Sequence, residues 1–135
     1  MDQAAFILAE RDRAADLFST RHKPGFATKA DFAQWFIRQM KQQNLSCHYC
    51  ETSILDIRRL IDQGLLKQRK TGNGWRGPVL EVDKRSNHLG YSPENCVLSC
   101  YYCNNDKSYT LDSEAYKQFF GPNRKAFFDY LLTVE

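Results

Sequence analysis

The chain has 135 residues, 42% of them hydrophobic and 26% charged, and carries a formal net charge of +3. Its length suits one domain with a modest core, and its composition gives no sign of disorder or low complexity. No run reaches the roughly 18 apolar residues of a membrane span, and MDQAAFILAERDR is too short an apolar patch to be a secretory signal. An intracellular, cytoplasmic protein is expected, with no membrane partner.

In chain order, Phe6, Ala9, Leu17 and Phe18 recur at helical spacing and predict a helix from Asp2 to about Ser19. RHKPGF breaks it through Pro24 and Gly25. Thr28 with Asp31 resembles a capping box and opens a second helix to about Asn44, whose buried stripe would be Phe32, Trp35, Phe36 and Met40. Such a stripe reads as core rather than as a base-stacking platform. Thr52 or Ser53 caps a third helix carrying Ile54, Leu55, Ile57, Leu60 and Ile61, and Gly64 ends it. Leu65–Lys70 and Val79–Lys84 then read as the two strands of a hairpin, with glycine-rich TGNGWRG connecting them. SNHLGYSPEN is a loop, Cys96–Ser99 a short apolar strand, and Asn104 the start of a helix. Ser113–Phe120 and Asn123–Leu132 are two further helices, separated by Gly121 and Pro122.

Positive charge gathers in the middle third, at Arg58, Arg59, Lys67, Arg69, Lys70, Arg76, Lys84 and Arg85. It permits nucleic-acid binding, although a solvated face has the same composition.

Five cysteines without an export signal argue against a disulfide framework. Cys47 and Cys50 form one CxxC, and Cys100 and Cys103 another. Each two-residue spacer lets two thiolates grip the same tetrahedral Zn(II), and ligands this far apart converge only on folding, so the zinc is structural. A thioredoxin-like redox pair would explain one CxxC at a time. Cys96 is left as a small buried residue beside Leu98, and His48 as a knuckle residue facing solvent.

From Leu80 the chain reads LEVDKRSNHLGYSPENCVLSCYYCNNDKS, which resembles the HNH endonuclease family with its ββα-metal site. Asp83 matches the family's acid, Asn95 its central asparagine, Asn104 the helix residue after the last cysteine, and Lys107 the basic residue that often follows. The likeness spans about 79 to 109, with Cys47 and Cys50 as the upstream half of the zinc site. It implies a ββα-metal core clasped by zinc (47–110); with the N-terminal helices (1–46) and C-terminal helices (111–135), which the helical spacing predicts and the likeness does not cover, the expected fold is α+β in one domain. It also implies a DNA phosphodiesterase using Mg(II) or Mn(II). A hard cation needs only a carboxylate and an amide oxygen once phosphate joins them, and Asp83 and Asn104 offer both.

Lys84 stands where the family usually has its general-base histidine. Lowering a lysine from its ordinary pKa near 10.4 to about 7 takes about 4 to 5 kcal/mol, so phosphate contact by Lys84, with Arg85 and Lys107, is the simpler role. Family members with Arg or Lys here show a pattern similar to DRxDNxxGYxxxN, matched by Asp83, Lys84, Asn87, Gly90, Tyr91 and Asn95. His88 is then the candidate base by residue type, ahead of Tyr91. Two other classes remain: a non-catalytic zinc-dependent nucleic-acid-binding module, and a zinc domain docking on a protein. RNA is an alternative substrate, and paired cuts would favour a homodimer.

Overall fold

The computed structural model describes residues 2–20, 25–72 and 74–134. It contains helices α1 (Gln3–Thr20), α2 (Lys29–Gln42), α3 (Ile54–Asp62), α4 (Tyr101–Lys107), α5 (Ser113–Phe119) and α6 (Gly121–Leu132). Four short strands, β1 (Arg69–Thr71), β2 (Gly74–Arg76), β3 (Leu80–Lys84) and β4 (Cys96–Cys100), form two antiparallel pairs, β1–β2 and β3–β4. Among the described residues no helix is long and apolar enough to cross a membrane.

The helices follow their sequence signals closely. Thr28 Oγ1 accepts the Asp31 N–H at 3.0 Å to cap α2, and Ser53 Oγ accepts the Leu55 N–H at 3.2 Å to cap α3. Phe32, Trp35, Phe36 and Met40 are buried as the stripe predicts. In α1, Phe6 and Ala14 are buried, whereas Ala9 is exposed and Glu10 takes the inward place. Glu10 pairs with Arg13, whose Nη2 donates to the Leu80 carbonyl at 2.8 Å, fastening α1 to β3. The break expected at Pro24 lies outside the described residues.

The strand pairing differs from the sequence expectation. Composition predicts that Val79–Lys84 pairs with Leu65–Lys70; instead β3 pairs with β4, from Leu80 opposite Cys100 to Lys84 opposite Cys96. The glycine-rich stretch makes its own small ribbon, Arg69 opposite Arg76 and Lys70 opposite Trp75. Gly74 and Gly77 hold φ of +119° and +135°, values that a side chain disfavours, and so allow the chain to turn twice before β3. Burial explains the choice: every residue of β4 is buried, so it must pair inside the core, whereas Arg69 and Lys70 are exposed.

The other edge of β4 is closed by a side chain. Gln43 accepts the Leu98 N–H and donates to the Leu98 carbonyl at 3.1 and 2.8 Å, and the His48 N–H also reaches that carbonyl at 2.9 Å. These bonds leave the Leu98 backbone nothing to offer another strand at the middle of that edge. Directly after β4 the chain turns into α4, which packs on both strands and completes a β3–β4–α4 unit.

Helix α4 begins earlier than expected, at Tyr101 rather than Asn104, because Cys100 Sγ caps it by accepting the Cys103 N–H at 3.4 Å. Asn104 therefore lies a turn inside the helix. Gly121 and Pro122, expected as a break, form the first turn of α6, where proline's missing N–H costs nothing. A Cβ on Gly121 would collide with the Tyr49 carbonyl, so α6 rests its N-terminus on the first cysteine knuckle.

Candidate functional site

Two centres sit on the β3–β4–α4 unit. In the first, the Sγ atoms of Cys47, Cys50, Cys100 and Cys103 all lie within 4.8 Å of one another and are buried. Cys50 and Cys100 are 4.0 Å apart. A tetrahedron of sulfurs at about 2.3 Å from zinc has edges of about 3.8 Å, so a small contraction suits the ion. The thiols titrate as a set. Burial opposes charge on Cys47, but hydrogen bonds from the Cys100, Cys103 and Cys50 thiols carry its pKa well below the ordinary range. Burial, and then the giving of such bonds, pushes Cys100 well above it. Mutually bonded soft donors of this kind can hold a zinc ion.

The second centre lies on the face of β3 that meets α4. Side chains two apart on a strand share a face, as do side chains three apart on a helix. Glu81 and Asp83 on β3 thus meet Asn104 and Lys107 on α4 as two rungs. Lys107 Nζ lies 3.2 Å from Asp83 Oδ2, and Asn104 Nδ2 donates to Glu81 Oε1 at 2.9 Å. Glu81 in turn holds Arg76 through two hydrogen bonds, at 2.9 and 2.6 Å. Because Asn104 spends its Nδ2 on Glu81, its carbonyl oxygen Oδ1 is turned away from that carboxylate.

Asp83 is only 7% exposed and Lys107 fully buried. Asp83 also accepts a short hydrogen bond from the Tyr49 hydroxyl, which shares a 2.9 Å contact with Ser113 Oγ. Burial lifts the Asp83 carboxyl above its ordinary pKa, against the Tyr49 hydrogen bond and the Lys107 charge, which pull it down. Burial, and next the Asp83 charge, keeps the Tyr49 hydroxyl protonated far above its usual value. Tyr49 is therefore a donor, and Asp83 the acceptor at the centre.

Asn95 is buried and fully engaged. Its Nδ2 donates to the carbonyls of Ser86, Leu89 and Gly90 at 3.1, 3.3 and 2.9 Å, and its Oδ1 accepts the Ser86 N–H at 3.0 Å. It holds the 85–95 loop closed and does not point to a reacting group. Lys84 is half-buried, with its ammonium 5.1 Å from the Tyr91 ring centroid. Arg85 and His88 are exposed, and among the described residues no side-chain contact joins His88 to Asp83 or Asn104. Lys107, expected as a phosphate contact, is instead buried on Asp83 and the Lys84 carbonyl, which it reaches at 3.2 Å.

His48 departs from its expected place in solvent. It is half-buried, edge-on to Tyr49 at 5.0 Å, and its pKa falls to about 4 through burial first and then Lys117 and Arg85. Sequence reasoning also passed over Tyr49, Glu81 and Ser113. The period of two in EVDK, set against the spacing of three between Asn104 and Lys107, was the signal that Glu81 belongs with them.

The sequence matches no family model and no curated protein. A solved structure of the rare-cutting HNH restriction endonuclease PacI aligns with 94% of this chain and 80% of its own, with a TM-score of 0.61 and 22% sequence identity. The fold is that of an HNH endonuclease. At this identity the likeness is one of architecture.

Proposed function

We propose that the chain is a metal-dependent endonuclease hydrolysing DNA phosphodiester bonds. The observation that carries this reading is the paired rungs of β3 and α4. They hold Asp83 on β3 against Lys107 and Asn104 on α4 against Glu81, on the two facing elements of a unit whose fold is shared with a DNA-cutting enzyme. Zn(II) held by Cys47, Cys50, Cys100 and Cys103 would clasp the unit and take no part in the chemistry. Asp83 and Asn104 present hard oxygens suited to Mg(II) or Mn(II), which when bound supplies positive charge to the scissile phosphate.

The remaining roles belong to the protein's own groups. Tyr49 and Glu81 orient Asp83 and Asn104. Lys84 and Arg85 follow Asp83 along the chain and attract phosphate oxygens. Asn95 fixes the loop carrying His88, which in this reading takes the proton from water. The test is metal-dependent nicking or cleavage of plasmid DNA. Asn104→Ala, half-buried and so tolerable to the fold, should abolish it with zinc content and circular dichroism unchanged. Retention of cutting by that variant refutes the assignment.

A second reading is favoured by Lys107, whose ammonium already supplies the positive charge Asp83 needs. A non-catalytic nucleic-acid-binding module would keep this pair. Wild-type protein that shifts DNA in a gel yet cuts none with Mg(II) or Mn(II) would establish it.

A further inference from the structure

We propose that the β1–β2 ribbon is a second nucleic-acid contact, a basic finger that enters a groove of the duplex beside the β3–α4 centre. The proposal rests on the reading of the chain as a DNA-acting protein, but on residues outside the proposed catalytic set.

Charge is the first reason. Between Asp62 and Glu81 there is no acidic residue, while Lys67, Arg69, Lys70 and Arg76 all fall there, and these four exceed the +3 formal charge of the whole chain. Arg69 stands directly opposite Arg76, a cross-strand arrangement of like charges that costs stability. Glu81 neutralises only one of the two. Lys67, Arg69 and Lys70 are exposed.

The aromatic is the second reason. Trp75 is 50% exposed on this ribbon rather than in the core, and its cross-strand partner Lys70 lies with its ammonium 5.2 Å from the ring centroid. An indole with a cation over its face is a surface suited to a sugar–phosphate edge. Strands about 4.8 Å apart make a ribbon narrow enough for a major groove about 12 Å wide.

Attachment is the third reason. Tyr102 of α4 donates its hydroxyl to the Lys67 carbonyl at 2.7 Å, and Arg58 donates to the Pro78 carbonyl at 2.9 Å. Arg76 is bound to Glu81, the residue that holds Asn104. The ribbon is thus fixed at its base to the helix and strand that build the candidate centre, so phosphate captured by the ribbon is held in register with Asp83 and Asn104.

The experiment is fluorescence anisotropy of full-length, zinc-loaded protein on a labelled 20-base-pair DNA duplex, without added Mg(II) or Mn(II), over a salt series. The triple variant Lys67→Ala/Arg69→Ala/Lys70→Ala should bind about 10- to 100-fold more weakly at 0.1 M salt. The slope of log affinity against log salt should fall by about 2 to 3, at roughly 0.9 for each phosphate no longer neutralised. Of the two tryptophans Trp35 is buried, so acrylamide quenching reports Trp75, and duplex should protect it. Equal affinity and slope in wild type and variant, or quenching unchanged by duplex, overturns the ribbon assignment even if the wild type cuts plasmid. A weakened variant of a wild type that cuts nothing supports the ribbon and removes the nuclease reading. Absence of wild-type binding overturns the ribbon, as does a loss seen on anionic lipid vesicles and not on duplex.

Discussion

Asp83 and Lys107 offer the sharpest test of the structure, because each is buried and each is the other's counter-charge. Lys107 exposes none of its side chain and Asp83 only 8%, with Nζ 3.2 Å from Oδ2. Removing one member of such a pair leaves an uncompensated charge and costs about 3–5 kcal/mol. Both survivors keep one partner, Tyr49 for Asp83 and the Lys84 carbonyl for Lys107. Asp83→Asn and Lys107→Met should therefore each cost about 3 kcal/mol, at the lower end of that range. The double variant strands no charge and should cost no more than either single, which gives a coupling energy of at least about 3 kcal/mol, beyond the roughly 0.5 kcal/mol scatter of independent sites. Urea unfolding of the zinc-loaded proteins measures all four corners of the cycle. A double variant destabilised by the sum of the singles would show that the two side chains do not meet.

Three other perturbations address the rest of the frame. Asn95→Ala removes four side-chain hydrogen bonds from the 85–95 loop and should lower stability by about 2–3 kcal/mol, with protease cleavage appearing in that loop. Gly121→Ala forces a Cβ against the Tyr49 carbonyl and should cost about 1–3 kcal/mol by overpacking, read as a lower urea midpoint. Chelation, or Cys47→Ser, should release one zinc per chain by elemental analysis and collapse the circular dichroism signal, because an ion on the four cysteines would join segments distant in sequence.

What the sequence disclosed depended on how local each signal was. Thr28, Ser53 and the Phe32–Met40 stripe act within a turn or two of themselves, and the helices they specify formed where expected. The cysteine pairs needed only the expectation that two knuckles meet. The partner of β3 was hidden because the nearer candidate, residues 65–70, has suitable strand composition; β4 wins through burial, which composition at a single stretch does not express. The start of α4 was missed because a cysteine thiol is not among the usual capping groups. Asp83, Asn95 and Asn104 were legible as a pattern, whereas Glu81, Tyr49 and the burial of Lys107 depend on how α4 lies across β3.

That crossing gives Asp83 two claimants. If it is a cation ligand, a divalent ion and the Lys107 ammonium compete for the same carboxylate, and like charges placed there together repel. Lys107→Met removes one competitor and leaves Asp83 buried without its charge partner. Mg(II) or Mn(II) should then restore stability more in this variant than in the wild type. Binding at 100 times Kd contributes about 2.7 kcal/mol, enough to offset most of the loss of about 3 kcal/mol expected for the single substitution. The measurement is the urea midpoint of each protein across a Mn(II) titration, with Asp83→Asn as the control that should not respond. A Lys107→Met protein whose stability is unmoved by the ion, while the wild type still cuts DNA, would mean that the catalytic cation is held elsewhere than on Asp83.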